Sequence, residues 1–198
     1  MKSKNPISIL TQDHIEEISN LHSKLIPGLL QKLDYSIIKI FYETALKSEY
    51  NFGFVNIINN QITGFVFGTT FRKKLYKNVA INRSFSLIFH MLKLILKKPK
   101  KIGVLLKMIF CRPYKHKNNC ESELVFIAIN PLYQKLGIGR NLMNHFNMYL
   151  LQKGVSRYES SVEIENEAAQ KFNEKLGFKL EYQYSEFGIK RLRYSVHL

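Results

Sequence analysis

The chain has 198 residues, 45% hydrophobic and 13% aromatic, which is enough for one sizeable core and too apolar for a wholly disordered protein. Its two cysteines, Cys111 and Cys120, exclude a disulfide framework, and with no apolar secretory segment after Met1 a reducing, cytoplasmic setting is expected. The formal charge of +15 suggests nucleic acid until it is mapped: residues 72–118 hold fourteen Lys or Arg and no Asp or Glu, so the rest of the chain is near neutral.

PISIL at 6–10 reads as a first strand. Thr11 or Asp13 is placed to cap a helix with Ile15, Ile18 and Leu21 on its apolar stripe. Pro27-Gly28 interrupts the pattern, and a second helix is predicted over 36–46 with Ile37, Ile40 and Phe41 inward. The β-rich runs at 52–58 and 62–70, separated by Asn59-Asn60-Gln61, predict an antiparallel hairpin.

The basic stretch at about 72–118 follows. Phe85, Ile88, Leu92, Ile95 and Leu96 suit one helical stripe, and Val104, Leu105, Met108 and Ile109 another, with lysines around both. No run reaches ~18 apolar residues without charge, so no transmembrane span is predicted. Three readings stand: a cap that steers an anionic acceptor to the site, helices lying on an anionic membrane surface, and a nucleic-acid contact. The last is disfavoured because no reading module or aromatic stacking platform is present. An oligomer contact or a solvated face accounts for the remainder.

SELVFIAI at 122–129 is nearly continuous in apolar residues and fits a central strand ended by Asn130-Pro131. A helix over 138–152 puts Leu142, Phe146 and Leu150 on one face before Gly154 stops it. A strand over 157–162, a short helix over 167–176 burying Ala169, Phe172 and Leu176, and two alternating strands around Gly188 complete the chain. The prediction is one α/β (α+β) domain over 1–198, a central mixed sheet flanked by helices, with a basic helical insert and no internal repeat.

Between the central strand and its helix lies QKLGIGRNLM at 134–143. Gly137 and Gly139 allow backbone close to a ligand, and amides at a helix start lack intrahelical acceptors and lie at the positive end of the dipole. A pyrophosphate fits such a place. Neither an ATP phosphate loop nor a Gly-x-Gly-x-x-Gly run is written here. On their own, two glycines at this position serve turn or packing needs more often than a ligand.

LVFIAINPLYQKLGIGRNLM followed by VEIENEAAQKFNEKLGF resembles the GCN5-related N-acetyltransferase (GNAT) superfamily. The first segment is similar to its acetyl-coenzyme A motif, with Gln134, Gly137 and Gly139 in the turn. The second is similar to its downstream strand and helix, with Asn166, Ala169, Phe172, Leu176, Gly177 and Phe178 in order. The resemblance implies the acyl-CoA N-acyltransferase-like fold and acetyl transfer from acetyl-CoA to a primary amine. It assigns the pyrophosphate to amides of Leu136 to Asn141, including Ile138 and Arg140, with Lys135 adding charge. It also implies a strand that splays from its neighbour along Phe126, Ile127, Ala128 and Ile129 to pair with the pantetheine arm, Ile127 polarising the thioester. Asn166 and Phe172 complete the expected cofactor contacts.

Many members of the family carry a proton-donating tyrosine where this chain has Asn173. Tyr133, Tyr182 and Tyr184 are the remaining tyrosine candidates for the acid. Glu123 is the first candidate base, against the alternative of a solvated carboxylate at a strand end; Glu121, Glu163, Glu165, His22, His90 and His145 are others. Cys111, His116 and Cys120 match no metal spacing, so no metal is expected. LHSKLIPGLLQKLDYSIIKIFYETAL at 21–46 is similar to a subset of the family associated with surface polysaccharide or amino-sugar modification, with 27–33 in the acceptor wall. The expected acceptor is therefore a small amine, anionic or sugar-linked, with peripheral contact to an anionic membrane as a further expectation. The rival reading is an acyl-CoA-binding, membrane-surface protein without turnover.

Overall fold

The computed structural model describes residues 7–28, 31, 34–75 and 120–198. The two apolar stripes expected in the basic stretch, with His90, Cys111 and His116, lie outside the described residues. In chain order the elements are β1 (Ile7–Ile9), a 3-10 turn at Gln12–His14, α1 (Ile15–Leu25), α2 (Tyr35–Ala45), β2 (Asn51–Ile58) and β3 (Gln61–Thr69). Beyond the basic stretch come β4 (Glu123–Ile129), a 3-10 turn at Pro131–Tyr133, α3 (Ile138–Gln152), β5 (Arg157–Glu163), α4 (Glu167–Lys175), β6 (Lys179–Glu186) and β7 (Ile189–His197).

Local chemistry explains most boundaries. Thr11 caps the 3-10 turn ahead of α1, and Asp34 caps α2 by accepting from the Ser36 amide. The β2–β3 hairpin turns on Asn59 and Asn60 at φ 50° and 60°, the geometry of a two-residue primed turn and one that asparagine tolerates.

The strands form one seven-stranded sheet in the order β1-β2-β3-β4-β5-β7-β6. All neighbours are antiparallel except β4 and β5, so the sheet is mixed, as the sequence pattern predicts. One face packs against α3: Leu142, Phe146 and Leu150, spaced four apart, are fully buried among Phe52, Val66, Leu124, Tyr158 and Leu192. The other packs against α1 and α2, where Ile15, Ile18, Ile38, Phe41 and Tyr42 cover Val55, Phe65, Phe67 and Ala128. Each such side chain removed from water contributes about 1.5–3 kcal/mol. Helix α4 departs from expectation. Ala169, Phe172 and Leu176 are only partly covered, and Asn173 is its one buried residue. These side chains pack at the margin of the α3-side core, where Phe172 lies against the first turn of α3 at Gly139, and this leaves them partly open to water.

Two features bear on the centre of the sheet. In β4, Val125 is an extra residue opposite β3, where Phe67 pairs with Phe126 and Gly68 with Leu124. The bulge puts Val125 and Phe126 consecutively on the α1–α2 side, while Leu124, Ile127 and Ile129 face α3. Gly68 lies beside this bulge under Phe146. A Cβ there would meet the Phe146 ring at 2.4 Å and the Glu123 carbonyl at 2.7 Å. Gly68→Ala should therefore lower stability by about 1–3 kcal/mol in urea unfolding, by overpacking.

On the α1–α2 side, His22 is 1% exposed and bonds through Nδ1 to the Tyr42 hydroxyl at 2.8 Å. Burial lowers its pKa from 6.5 to about 4. The folded value lies below the unfolded one, so the unfolded chain takes up the proton first. His22 then supports stability fully above about pH 6.5 and loses that contribution as pH falls toward 4, by roughly 3 kcal/mol at most. Urea midpoints across this window should fall less steeply in His22→Gln than in the parent.

Candidate active site

The site begins where the sheet comes apart. β4 and β5 are in register only at Glu123↔Glu159 and Leu124↔Ser160, joined by the Glu159 amide donating to the Ser122 carbonyl at 3.0 Å. Beyond that, residues 126–129 pair with β3 alone and residues 161–163 with β7 alone. The parallel strands thus diverge from a two-pair vertex, leaving a cleft edged by backbone groups without a partner strand.

At the wide end of this cleft, β4 leads through the Pro131–Tyr133 turn to α3. Lys135 and Gly137 adopt left-handed backbone angles, φ 64° and 79°, and Gln134 to Gly137 and Arg140 are exposed. Gln134 Nε2 donates to the Ile129 carbonyl at 3.3 Å, tying the turn to the strand end. The first helical bond of α3 runs from the Asn141 amide to the Gly137 carbonyl. Among the described residues, no amide from 135 to 140 donates to a backbone or side-chain acceptor. Ile138 is buried and anchors the helix start, while a Cβ on Gly137 would meet nothing within 4 Å. Gly139 has a different cause: its missing Cβ would lie 3.1 Å from the Phe172 ring. One glycine is required by backbone angle and the other by a neighbouring helix.

These groups fit a nucleotide-linked pyrophosphate, because open space, free amides and the positive end of a 15-residue helix coincide there. Asn166 is otherwise engaged: its Oδ1 caps α4 by accepting from the Ala169 amide at 3.1 Å.

The sheet face toward α1 and α2 carries polar side chains beside the vertex. Glu123, 4% exposed, bonds through Oε1 to Arg193 Nη1 at 2.6 Å. Arg193 is 1% exposed; burial opposes its charge, but Glu123 and then Tyr184 raise its pKa, so it remains a cation. Glu159, fully buried, bonds to Arg72 at 3.2 Å. One strand position further along, Ser161 and Tyr184 share a hydroxyl–hydroxyl bond of 2.5 Å. Burial pushes the Tyr184 phenol up to about 12, against the pull of Arg193 and the Ser161 bond. Tyr182 packs edge-on to Tyr184, and Glu163 pairs with Arg191 at 3.6 Å near the open end. On the β4 side of the cleft, Phe126 meets the His22 ring edge-on at 4.5 Å.

Other candidates lie apart. Asn173 is buried on the opposite face, donating to Ser160 Oγ at 3.4 Å. Tyr133 packs against the α3-side core, Glu121 pairs with Lys73 at 2.6 Å, and Glu165 is exposed. His145 is exposed and bonds to the Asn141 carbonyl of its own helix. Among the described residues no cluster suited to a metal ion is present. Arg193, Glu159, Arg72 and Ser161 escaped the sequence reading. The alternation of Leu192, Arg193 and Tyr194 shows that Arg193 faces away from the α3-side core, but not that the other face is also covered.

Comparison with known proteins bears on this geometry. No curated protein matches the chain significantly. An N-acetyltransferase from Staphylococcus aureus Mu50 superposes with a TM-score of 0.63 at 18% identity, covering 96% of this chain and 100% of its own. The aminoglycoside N-acetyltransferase AAC(6')-Iy, solved with CoA, gives 0.60 at 16% identity and 91% coverage of both chains. The ribosomal-protein-S18-alanine N-acetyltransferase from Escherichia coli gives 0.58 at 16%, covering 97% of this chain and 92% of its own. At these identities the likeness speaks for the fold. The family model of the GNAT acetyltransferases matches residues 15–178, from the start of α1 past α4 and through every element that builds the cleft, and the chain therefore belongs to the GNAT family of acetyl-CoA-dependent N-acetyltransferases.

Proposed function

We propose that this acetyltransferase acts on the primary amine of a small, polar acceptor, an amino sugar or nucleotide-linked amino sugar. The observation carrying the reading is the two-pair vertex between β4 and β5, opening beside a turn whose amides have no internal acceptor. The face toward α1 and α2 presents Ser161 and Tyr184 hydroxyls and the Glu163–Arg191 pair, donors and acceptors suited to a hydroxyl-bearing ring. The fourteen cations at 72–118 favour an anionic acceptor through long-range attraction, effective over roughly a Debye length of ~8–10 Å.

Acetyl-CoA supplies the acetyl thioester that an unprotonated amine attacks. In this reading residues 135–141 hold the diphosphate, with residues 126–129 along the pantetheine arm and the Ile127 amide at the thioester carbonyl. Glu123 takes the amine proton through water, using Oε2, which makes no hydrogen bond among the described residues. Tyr184 serves as a hydrogen-bond donor to the leaving sulfur rather than as an acid. Its phenol near 12 lies about 3.5 units above an ordinary thiol, so full transfer is uphill by roughly 5 kcal/mol. Such a donor lowers the barrier without surrendering its proton.

The test is thioester consumption against amino sugars, nucleotide amino sugars, polyamines and peptides. Acetylation of the sugar amines supports the reading, and turnover confined to peptides or polyamines rejects it. Gly137→Val should lose CoA binding by calorimetry at least ~10-fold; no side chain crowds the position, but its left-handed φ of 79° should also cost about 1–2 kcal/mol in unfolding. Glu123→Gln should depress the rate at neutral pH more than CoA affinity; an unchanged pH–rate profile would remove Glu123 as proton acceptor.

The basic stretch also favours a second contact, because its Lys/Arg-flanked apolar runs have the composition of interfacial segments. Among the described residues no helix is long and apolar enough to cross a membrane. Pelleting with anionic vesicles at low salt, lost at high salt, is the expected mark of surface binding; no pelleting at low salt rejects it.

A further inference from the structure

The vertex joins two halves of the sheet, β1–β4 and β5–β7, that share only two residue pairs. Two buried ion pairs straddle that seam in opposite directions. Arg72, just after β3, reaches Glu159 on β5 at 3.2 Å. Arg193, on β7, reaches across β5 to Glu123 on β4 at 2.6 Å, with its Nε 3.6 Å from Glu159 Oε2. The four side chains expose 6%, 0%, 1% and 5% of their surface, for Arg72, Glu159, Arg193 and Glu123.

Glu123 and Glu159 are direct partners across the parallel junction. Two carboxylates facing each other out of water repel strongly, at the point where the strands have least backbone to hold them. Arg193 lies against both and turns this repulsion into a bridge. Its fork also decides direction: Nη1 engages Glu123 Oε1, leaving Oε2 as the oxygen without a bond among the described residues. A buried ion pair is weak evidence of stabilisation, since apolar groups of similar volume commonly do as well. Apolar groups cannot aim a carboxylate or hold two strands at one spacing.

We propose that Arg193 is a positioning residue that rivets β4 to β5, fixing the vertex of the cleft and the orientation of Glu123. The kinetic consequence rests on the acetyl-transfer reading; the mechanical one does not. Among the described residues, the groups around Glu123 are Arg193 from β7, Glu159 from β5 and Tyr184 from β6, with Arg72 after β3 held by Glu159 and neutral His22 of α1 edge-on to Phe126. Among the described residues, only Arg193 makes an ion pair with Glu123.

Arg193→Lys keeps a cation but cannot fork between two carboxylates. In this variant the Glu159 amide, which donates across the seam, should exchange with deuterium ~10-fold faster or more, while the β2–β3 hairpin keeps its protection. In the assay, kcat should fall ~10²-fold, with the KM for acetyl-CoA within about threefold of the parent. Arg193→Gln removes the cation altogether, so exchange at the Glu159 amide should rise at least as far as in Arg193→Lys. Unchanged exchange at Glu159 overturns the rivet, and a kcat within about threefold of the parent in Arg193→Lys overturns the positioning role. If Arg193→Gln does not fold, Arg193→Lys decides alone; if neither folds, Glu123→Gln/Arg193→Gln, which removes both charges, takes the exchange measurement, and unchanged protection of the Glu159 amide there overturns the rivet. A parent that acetylates no amine would defeat the acetyl-transfer reading, and the rivet would still stand or fall on the Glu159 amide.

Discussion

Adjacent parallel strands gain by pairing along their whole length, yet β4 and β5 must separate for anything to lie between them. The structure meets both demands by pairing Glu123 with Glu159 and Leu124 with Ser160, then letting the strands diverge. The candidate site is arranged around that compromise. The bulge at Val125 re-aims β4 just beyond the vertex, and α3 spans the junction from one side through Phe146, whose ring meets Phe52 on β2 and Tyr158 on β5. Across the other face the buried charges make the tie.

The turn before α3 shows how one short motif answers two separate physical needs. Gly137 takes a left-handed angle in open space, whereas Gly139 clears the way for Phe172 of α4. The same few residues set the direction of the exposed amides and the docking of the following helix. A helix start with unpaired amides is tolerated here because water reaches it, and it suits a diphosphate for that same reason.

The charge distribution divides the molecule's labour. Around the vertex and along β5–β7, four arginines pair with acids: Arg72 with Glu159, Arg157 with Glu181, Arg191 with Glu163, and Arg193 with Glu123. The surplus of positive charge belongs to the stretch between β3 and β4. Its two ends are drawn together where the Arg72 amide donates to the Glu121 carbonyl at 2.7 Å, Lys73 pairs with Glu121, and Ser122 Oγ donates to the Thr70 carbonyl. That neck leaves the sheet at the N-terminal end of β4, opposite the end where the cleft opens.

The sequence by itself determined the elements and their order. The i, i+4 spacing of Leu142, Phe146 and Leu150, the apolar run of β4 and the asparagine turn are local facts, and periodicity reports local facts. The turn at 134–141 was legible because backbone freedom and helix polarity are written in a few consecutive residues. Only the tertiary structure decided what Glu123 touches, that Asn173 is buried against Ser160, and that Tyr184 shares its hydroxyl with Ser161. It alone showed that α4 leaves Ala169, Phe172 and Leu176 half-covered. Those outcomes depend on which strands lie side by side and on which faces are covered. Arg193 and Glu123, seventy residues apart, meet because the sheet order leaves only β5 between β7 and β4, and no local pattern carries that order.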